Sequence, residues 1–170
     1  MIRNVIVGDI AGEKNESDII IGMNTTFSEI YGISKPFIDK VTLTHPVTLG
    51  SVVSFNFTPK RNLHLLVCHN AGEKGWARAP EYVRFGLDYL HHTEGEDRTF
   101  SIVRIGAGRI GSRDGANHAE ILTAMANSHL PVDLYVRDPA TQEQETDGVN
   151  VRYLHAYRHW NPQFGEQLVA

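Results

Sequence analysis

The feature that most constrains this chain is the alternation of short β-branched segments with longer amphipathic ones. Ile2 to Val7, Asp18 to Met23, Ser51 to Phe57, Leu63 to Cys68, Phe100 to Ile105 and Val132 to Val136 are too short for helices and are bounded by turn formers. They read as buried strands. Helical patterns lie between the last three. Pro80 suits a first turn, after which Tyr82, Val83, Phe85, Gly86, Tyr89 and Leu90 recur at helical spacing up to His91 and His92. Asn117 can cap a second helix with Glu120 three residues on, Ile121, Leu122 and Met125 form its apolar stripe, and Pro131 stops it. Ser28 to Lys40 reads as a further helix, kinked or restarted at Pro36. Parallel strands joined by helical crossovers bury both sheet faces, so the expected class is α/β, a three-layer α/β/α sandwich around a mixed, mostly parallel sheet.

At 170 residues the chain suits one domain spanning 1–170, large enough to bury a core without metal or disulfide staples. Sixteen Lys and Arg against twenty Asp and Glu give a net charge of −4, which argues against a nucleic-acid partner held mainly by charge. Cys68 is the single cysteine, which excludes an intramolecular disulfide and a CxxC zinc knuckle. No apolar run is long enough for a membrane span, and Met1 to Asp9 lacks a signal-peptide core, so an intracellular, cytoplasmic protein with no membrane partner is expected. From Arg137 to Asn150 the chain is polar and reads as a surface loop; Val149 to Tyr157 alternates like an extra edge strand, followed by an irregular tail.

The strongest local motif runs from Arg104 to Arg113, after a strand and before a helix. Gly106, Gly108 and Gly111 formally spell GxGxxG. Glycines in that place let backbone N–H groups approach a phosphate at a helix N-terminus. The motif falls late in the chain, whereas a Rossmann fingerprint opens the first βα turn, and no GxxxxGK[ST] occurs. Arg104, Arg109 and Arg113 supply cations nearby, either to a phosphate or to solvent.

Four motifs in order resemble the macro domains, which bind ADP-ribose and related ligands at the carboxyl end of a mixed sheet. Val7-Gly8-Asp9-Ile10 is similar to the family's opening Gly-Asp-Ile, whose aspartate accepts a hydrogen bond from the adenine amino group. Asp18 to Asn24 resembles the strand that ends in an asparagine-bearing loop near the distal ribose. Tyr31-Gly32-Ile33 falls where the first glycine-rich phosphate loop meets its helix, and Arg104 to Ser112 resembles the second loop. The resemblance covers about residues 2–136. It implies a ligand site of Asp9, Ile10, Asn24, Gly32, Ile33, Gly106, Ala107, Gly108, Arg109, Ile110 and Gly111, with ADP-ribose, a related nucleotide or an ADP-ribosylated protein as partner and with neither cofactor nor metal.

The pattern is most similar to the branch that removes terminal ADP-ribose from carboxylates. That branch uses a lysine ahead of the middle helix and an aspartate in the second loop; here the nearest basic residues are Lys74 and Arg78, and Ile110 stands at the aspartate's place. Asp114 is the substitute acid, with Asp39 and His118 as further candidates. The readings carried forward are a binding module, an ADP-ribosyl hydrolase or ADP-ribose phosphate-ester phosphatase on the same scaffold, and a ligand-free interaction domain. The nine histidines do not recur with Cys or acidic partners at zinc spacing, and no GxSxG elbow is present, so neither a metal centre nor a Ser-His-Asp hydrolase is expected. Trp76 reads as a packing residue.

Overall fold

A computed structural model describes residues 1–27, 47–94, 97–106 and 115–136. Its elements are β1 (Ile2–Val7), β2 (Asp18–Asn24), β3 (Val52–Asn56), β4 (Asn62–His69), a 3₁₀ turn (Glu73–Trp76), α1 (Ala79–Thr93), β5 (Phe100–Val103), α2 (His118–Asn127) and β6 (Val132–Val136). The strands form one sheet in the order β1-β6-β5-β2-β4-β3. All pairings are parallel except that of β3 with β4. The expected mixed, mostly parallel sheet is therefore observed. The anticipated helix at 28–40, the polar run from Arg137, the extra strand at 149–157 and the tail lie outside the described residues.

Burial follows position in the sheet. β2, β4 and β5 are interior strands and are buried along almost their whole length, which is why they read as unbroken apolar runs. Edge strand β3 is only partly buried, with Ser54 and Asn56 exposed. The core gathers Ile19, Ile20, Ile21 and Met23 of β2, Leu63, Leu65 and Leu66 of β4, and Phe100 and Ile102 of β5 around the inner sides of both helices. Cys68, the single cysteine, is buried among them. Arg3 and Asn4 of β1 both donate to the Asp133 carboxylate of β6, at 2.9 to 3.2 Å, and fasten the edge that carries Asp9.

Both described helices start where the residues allow. The Asn117 side chain accepts the Glu120 amide at 3.0 Å, satisfying one of the unpaired N–H groups that open α2. In α1 the stripe is shifted from the one the periodicity predicts. Ala79, Val83, Gly86, Leu87 and Leu90 are buried, while Phe85 and Tyr89 are 65% and 49% exposed. The cause is Gly86, where a Cβ would stand 2.7 Å from Leu66 Cγ. A glycine at the contact lets the helix axis come close to β4 and turns the neighbouring aromatics outward. The two helices follow β4 and β5, and each connection leads to a strand nearer β1. Right-handed crossovers running in the same direction put them side by side on the sheet.

Candidate functional site at the carboxyl ends of the strands

Because the five parallel strands point one way, their carboxyl ends lie together, and ligands of open α/β sheets bind there. Asp9 follows β1, Asn24 ends β2, His69 ends β4, and Arg104 to Gly106 follow β5. Of the residues expected at the site, Asp9, Ile10, Asn24 and Gly106 are thus brought to one end of the sheet. Gly32, Ile33, Ala107, Gly108, Arg109, Ile110, Gly111 and Asp114 lie outside the described residues, as do Asp39 and Arg113.

The spacing sets the shape of what binds. β1 and β2 are separated by β6 and β5. Three strand intervals are about 14 Å, so one ligand that meets both Asp9 and Asn24 must be elongated and must cross the end of β5, where the glycine loop begins.

At the β1 end, Asp9 is exposed and its Oδ1 accepts the Ala11 amide at 3.0 Å, while the Gly12 amide reaches the Asp9 carbonyl at 3.0 Å. That is an Asx turn, and it leaves Oδ2 without a partner among the described residues. The Ile10 side chain is fully buried, so this residue can meet a ligand through its backbone alone. Behind the turn, the Arg61 guanidinium donates to the carbonyls of Ala11, Gly12 and Asn15, and the Asn15 amide donates to the Ile10 carbonyl at 2.8 Å and to the Ser101 hydroxyl at 2.9 Å. Sequence reading missed Arg61. It lies about fifty residues from the loop it holds, and no local spacing marks that partnership.

At the β2 end, Asn24 is buried, its Oδ1 accepts the Thr26 hydroxyl at 3.3 Å and its carbonyl accepts the Phe27 amide at 3.3 Å. It opens the loop that Thr25 and Thr26 continue. The Thr25 hydroxyl donates to Asn70 Oδ1 at 3.1 Å, joining this loop to the end of β4. There the His69 ring stacks on Trp76, with centroids 3.7 Å apart and planes 14° from parallel. Trp76 packs into the core as expected, and its ring edge lies 3.4 Å from the place a Cβ would occupy on Gly106.

Between these ends stands the start of the second glycine loop. Gly106 has φ +83°, and a Cβ there would meet Ile121 at 2.9 Å, Ala116 at 3.2 Å and Trp76 at 3.4 Å. Both conformation and space demand glycine. Arg104 differs from the solvated cation that its charge suggests. It is buried, and its guanidinium donates to the Ile105 carbonyl at 3.4 Å and to the His118 carbonyl. Ile105 and His118 stand on either side of the loop in sequence, so the side chain ties together the two segments that the loop joins. The local field is visible at His118. Burial and then the Arg104 charge hold its imidazole below the usual histidine range, against the opposing pull of the Gly106 carbonyl. Arg78, by contrast, is exposed and engaged with Glu81 at 2.7 Å, so it does not stand in for a site lysine.

No protein-family model matches the sequence, and neither does any curated protein. Solved structures do match. A protein of unknown function from Bacteroides thetaiotaomicron aligns with TM-score 0.57 and 17% identity over 79% of this chain and 97% of its own. The IBV X-domain aligns with TM-score 0.56 and 12% identity over 84% and 95%. A macrodomain protein from Streptomyces coelicolor aligns with TM-score 0.56 and 14% identity over 81% and 100%. The chain has a macrodomain-like fold. At such identities the likeness is one of architecture, and in an open α/β sheet the carboxyl ends of the strands are the place to look for a ligand.

Proposed function

We propose that this macrodomain-like chain binds ADP-ribose or a related ADP-ribosyl nucleotide along the carboxyl ends of its strands. The observation that carries the reading is the row Asp9, Gly106 and Asn24. A carboxylate with one oxygen unused among the described residues stands at one end, Gly106 beside the buried Arg104 lies in the middle, and a polar asparagine loop stands about three strand spacings from the first. An adenine donor suits the first, a diphosphate the second and a ribose hydroxyl the third. A net charge of −4 makes a focused positive field at the loop more necessary, since a buried anion needs N–H groups and a nearby cation to offset its lost hydration. The resemblance of Arg104 to Ser112 to a phosphate loop adds support. An ADP-ribosyl group on a protein side chain fits the same row, so an ADP-ribosylated protein is a second form of the same partner.

Thermal-shift screening against ADP-ribose, its phosphorylated and cyclic derivatives, NAD, AMP and an unrelated nucleotide tests this. A ligand at one hundred times its Kd stabilises the native state by about 2.7 kcal/mol, a clear rise in melting temperature. Gly108→Glu should remove the ADP-ribose shift while leaving the melting temperature of the free protein nearly unchanged. An absence of any nucleotide shift would favour a ligand-free interaction domain.

A further inference from the structure

Away from the carboxyl ends of the strands, Asp18, His64 and Ser54 are joined in a line. Asp18 opens β2 and is 3% exposed; His64 lies in β4 and is fully buried; Ser54 is exposed on edge strand β3. His64 Nε2 is 2.9 Å from Asp18 Oδ2, and His64 Nδ1 is 2.7 Å from Ser54 Oγ.

The direction of each bond follows from Arg98. Its Nε and Nη2 donate to the two Asp18 oxygens at 2.7 and 2.6 Å, and the Asn62 amide donates to Oδ1 at 3.0 Å. A carboxylate so surrounded is ionised and accepts only. The proton of the neutral imidazole therefore sits on Nε2, facing Asp18. Nδ1 is left as a bare lone pair, and the Ser54 hydroxyl must donate to it. The serine lone pairs then face solvent.

Strand geometry completes the arrangement. Ser54 pairs with His64 across the β3–β4 ladder, whose bonded positions are marked by Val67 N to Ser51 O and Phe57 N to Arg61 O at 2.9 Å. Counting in twos from those positions puts Ser54 and His64 in a non-bonded pair, where side chains approach most closely and backbone N–H groups point away from the partner strand. The Ser54 N–H thus faces the open edge beside its own hydroxyl. The Phe100 ring, 5.6 Å from the imidazole, helps keep water from the buried side.

We propose that Ser54 is a nucleophile toward activated esters, with His64 as its base and Asp18 as the positioning residue held by Arg98. A triad is recognised by roles and geometry, whatever the chain order, and a GxSxG elbow is one of several ways to build it. In the step, Ser54 Oγ bonds to the acyl carbon as its proton passes to His64 Nδ1, the ester C–O bond breaks, and the imidazolium gives that proton to the leaving oxygen, which departs as the alcohol. Asp18 steadies the imidazolium, and the Ser54 N–H faces the developing oxyanion. Water then releases the acid from acyl-Ser54 with His64 again as base.

The experiment exposes the full chain to a fluorophosphonate and follows adducts by peptide mass. Here the P–O bond forms, fluoride leaves and the proton again goes to His64. Ser51 is the internal control, because its hydroxyl meets that of Thr48 at 2.9 Å and has no imidazole partner among the described residues. Ser54 should label at least tenfold faster than Ser51, and Ser54→Ala should abolish that adduct without changing the fold. His64→Gln, read once its melting transition is verified, should bring Ser54 down to the Ser51 rate. The wild type gives a reading that no core substitution can confound, the ratio of Ser54 to Ser51 adducts in the unaltered protein. Equal rates at the two serines of the wild type, or a Ser54 rate unchanged in a folded His64→Gln variant, overturn the proposal. Neither result bears on the nucleotide site proposed above, which includes none of these residues.

Discussion

The Arg104 guanidinium donates to the backbone carbonyl of His118, so a side chain just past β5 is fastened to the first residue of α2. With its second bond, to the Ile105 carbonyl, this buried cation closes the glycine loop at its base. Fixing the loop ends is what these bonds do; supplying charge to an anion is the second role that the proposed function asks of the same side chain.

Arg104→Met keeps the length and loses the charge and the donors. Hydrogen bonds to charged groups are worth about 1.5 to 3 kcal/mol, so melting should fall by several degrees and ADP-ribose affinity at least tenfold. Calorimetric titration alongside a melting curve checks both. Affinity that survives while stability drops would confine Arg104 to the structural role.

Gly86→Ala sets two effects against each other. Alanine in place of glycine inside a helix gains about 1 kcal/mol, but a Cβ 2.7 Å from Leu66 Cγ forces α1 away from β4, and such overpacking costs about 1 to 3 kcal/mol. Net destabilisation by denaturant titration is expected. A more stable variant would mean that Leu66 yields without strain.

Much of the fold was legible because strand signals are local. All six described strands were anticipated within about three residues at each end, and the Asn117 cap and the Pro80 start fall where expected. The α1 stripe was less legible, since Phe85 and Tyr89 carry the apolar signal while a glycine makes the contact. At the candidate site, the resemblance to the macro domains marked Asp9, Asn24 and Gly106, and the structure brings all three to the carboxyl ends of strands. The sequence hid Arg61 and the inward turn of Arg104, because a charged residue reads as exposed unless its distant carbonyl partners are known. The Ser54–His64–Asp18 line was hidden for the same reason, being assembled by strand pairing.

Acid should expose the Asp18 network. Burial alone would raise its pKa, yet the hydrogen bonds from His64, Arg98 and the Asn62 amide outweigh that and hold it far below the usual carboxylate range. A carboxyl depressed in the folded state stabilises the protein above its unfolded pKa of about 4, and that stability is lost as pH falls below it. Melting temperature should therefore drop steeply between about pH 4 and pH 2, and less so in Asp18→Asn at the same pH values. A flat profile would remove Asp18 from the account of stability.

Turnover on ADP-ribosylated protein should be slow, because Ile110 cannot transfer a proton or hold a nucleophilic water. General acid or base assistance is typically worth 10² to 10⁴ in rate. Release of free ADP-ribose from a modified protein, measured for wild type, Ile110→Asp and Asp114→Ala, separates the cases. Rapid wild-type release that falls in Asp114→Ala would make Asp114 the acid and the chain a hydrolase.

The central claim, an elongated nucleotide lying from Asp9 across the glycine loop to Asn24, is tested most directly by calorimetric titration of the wild type and Asp9→Ala with ADP-ribose and AMP. The account predicts that ADP-ribose binds the wild type at least tenfold more tightly than AMP, which cannot reach Asn24, and that Asp9→Ala weakens ADP-ribose by about 1 to 3 kcal/mol in a folded protein. Equal affinity for the two nucleotides, or ADP-ribose binding unchanged in Asp9→Ala, would contradict it.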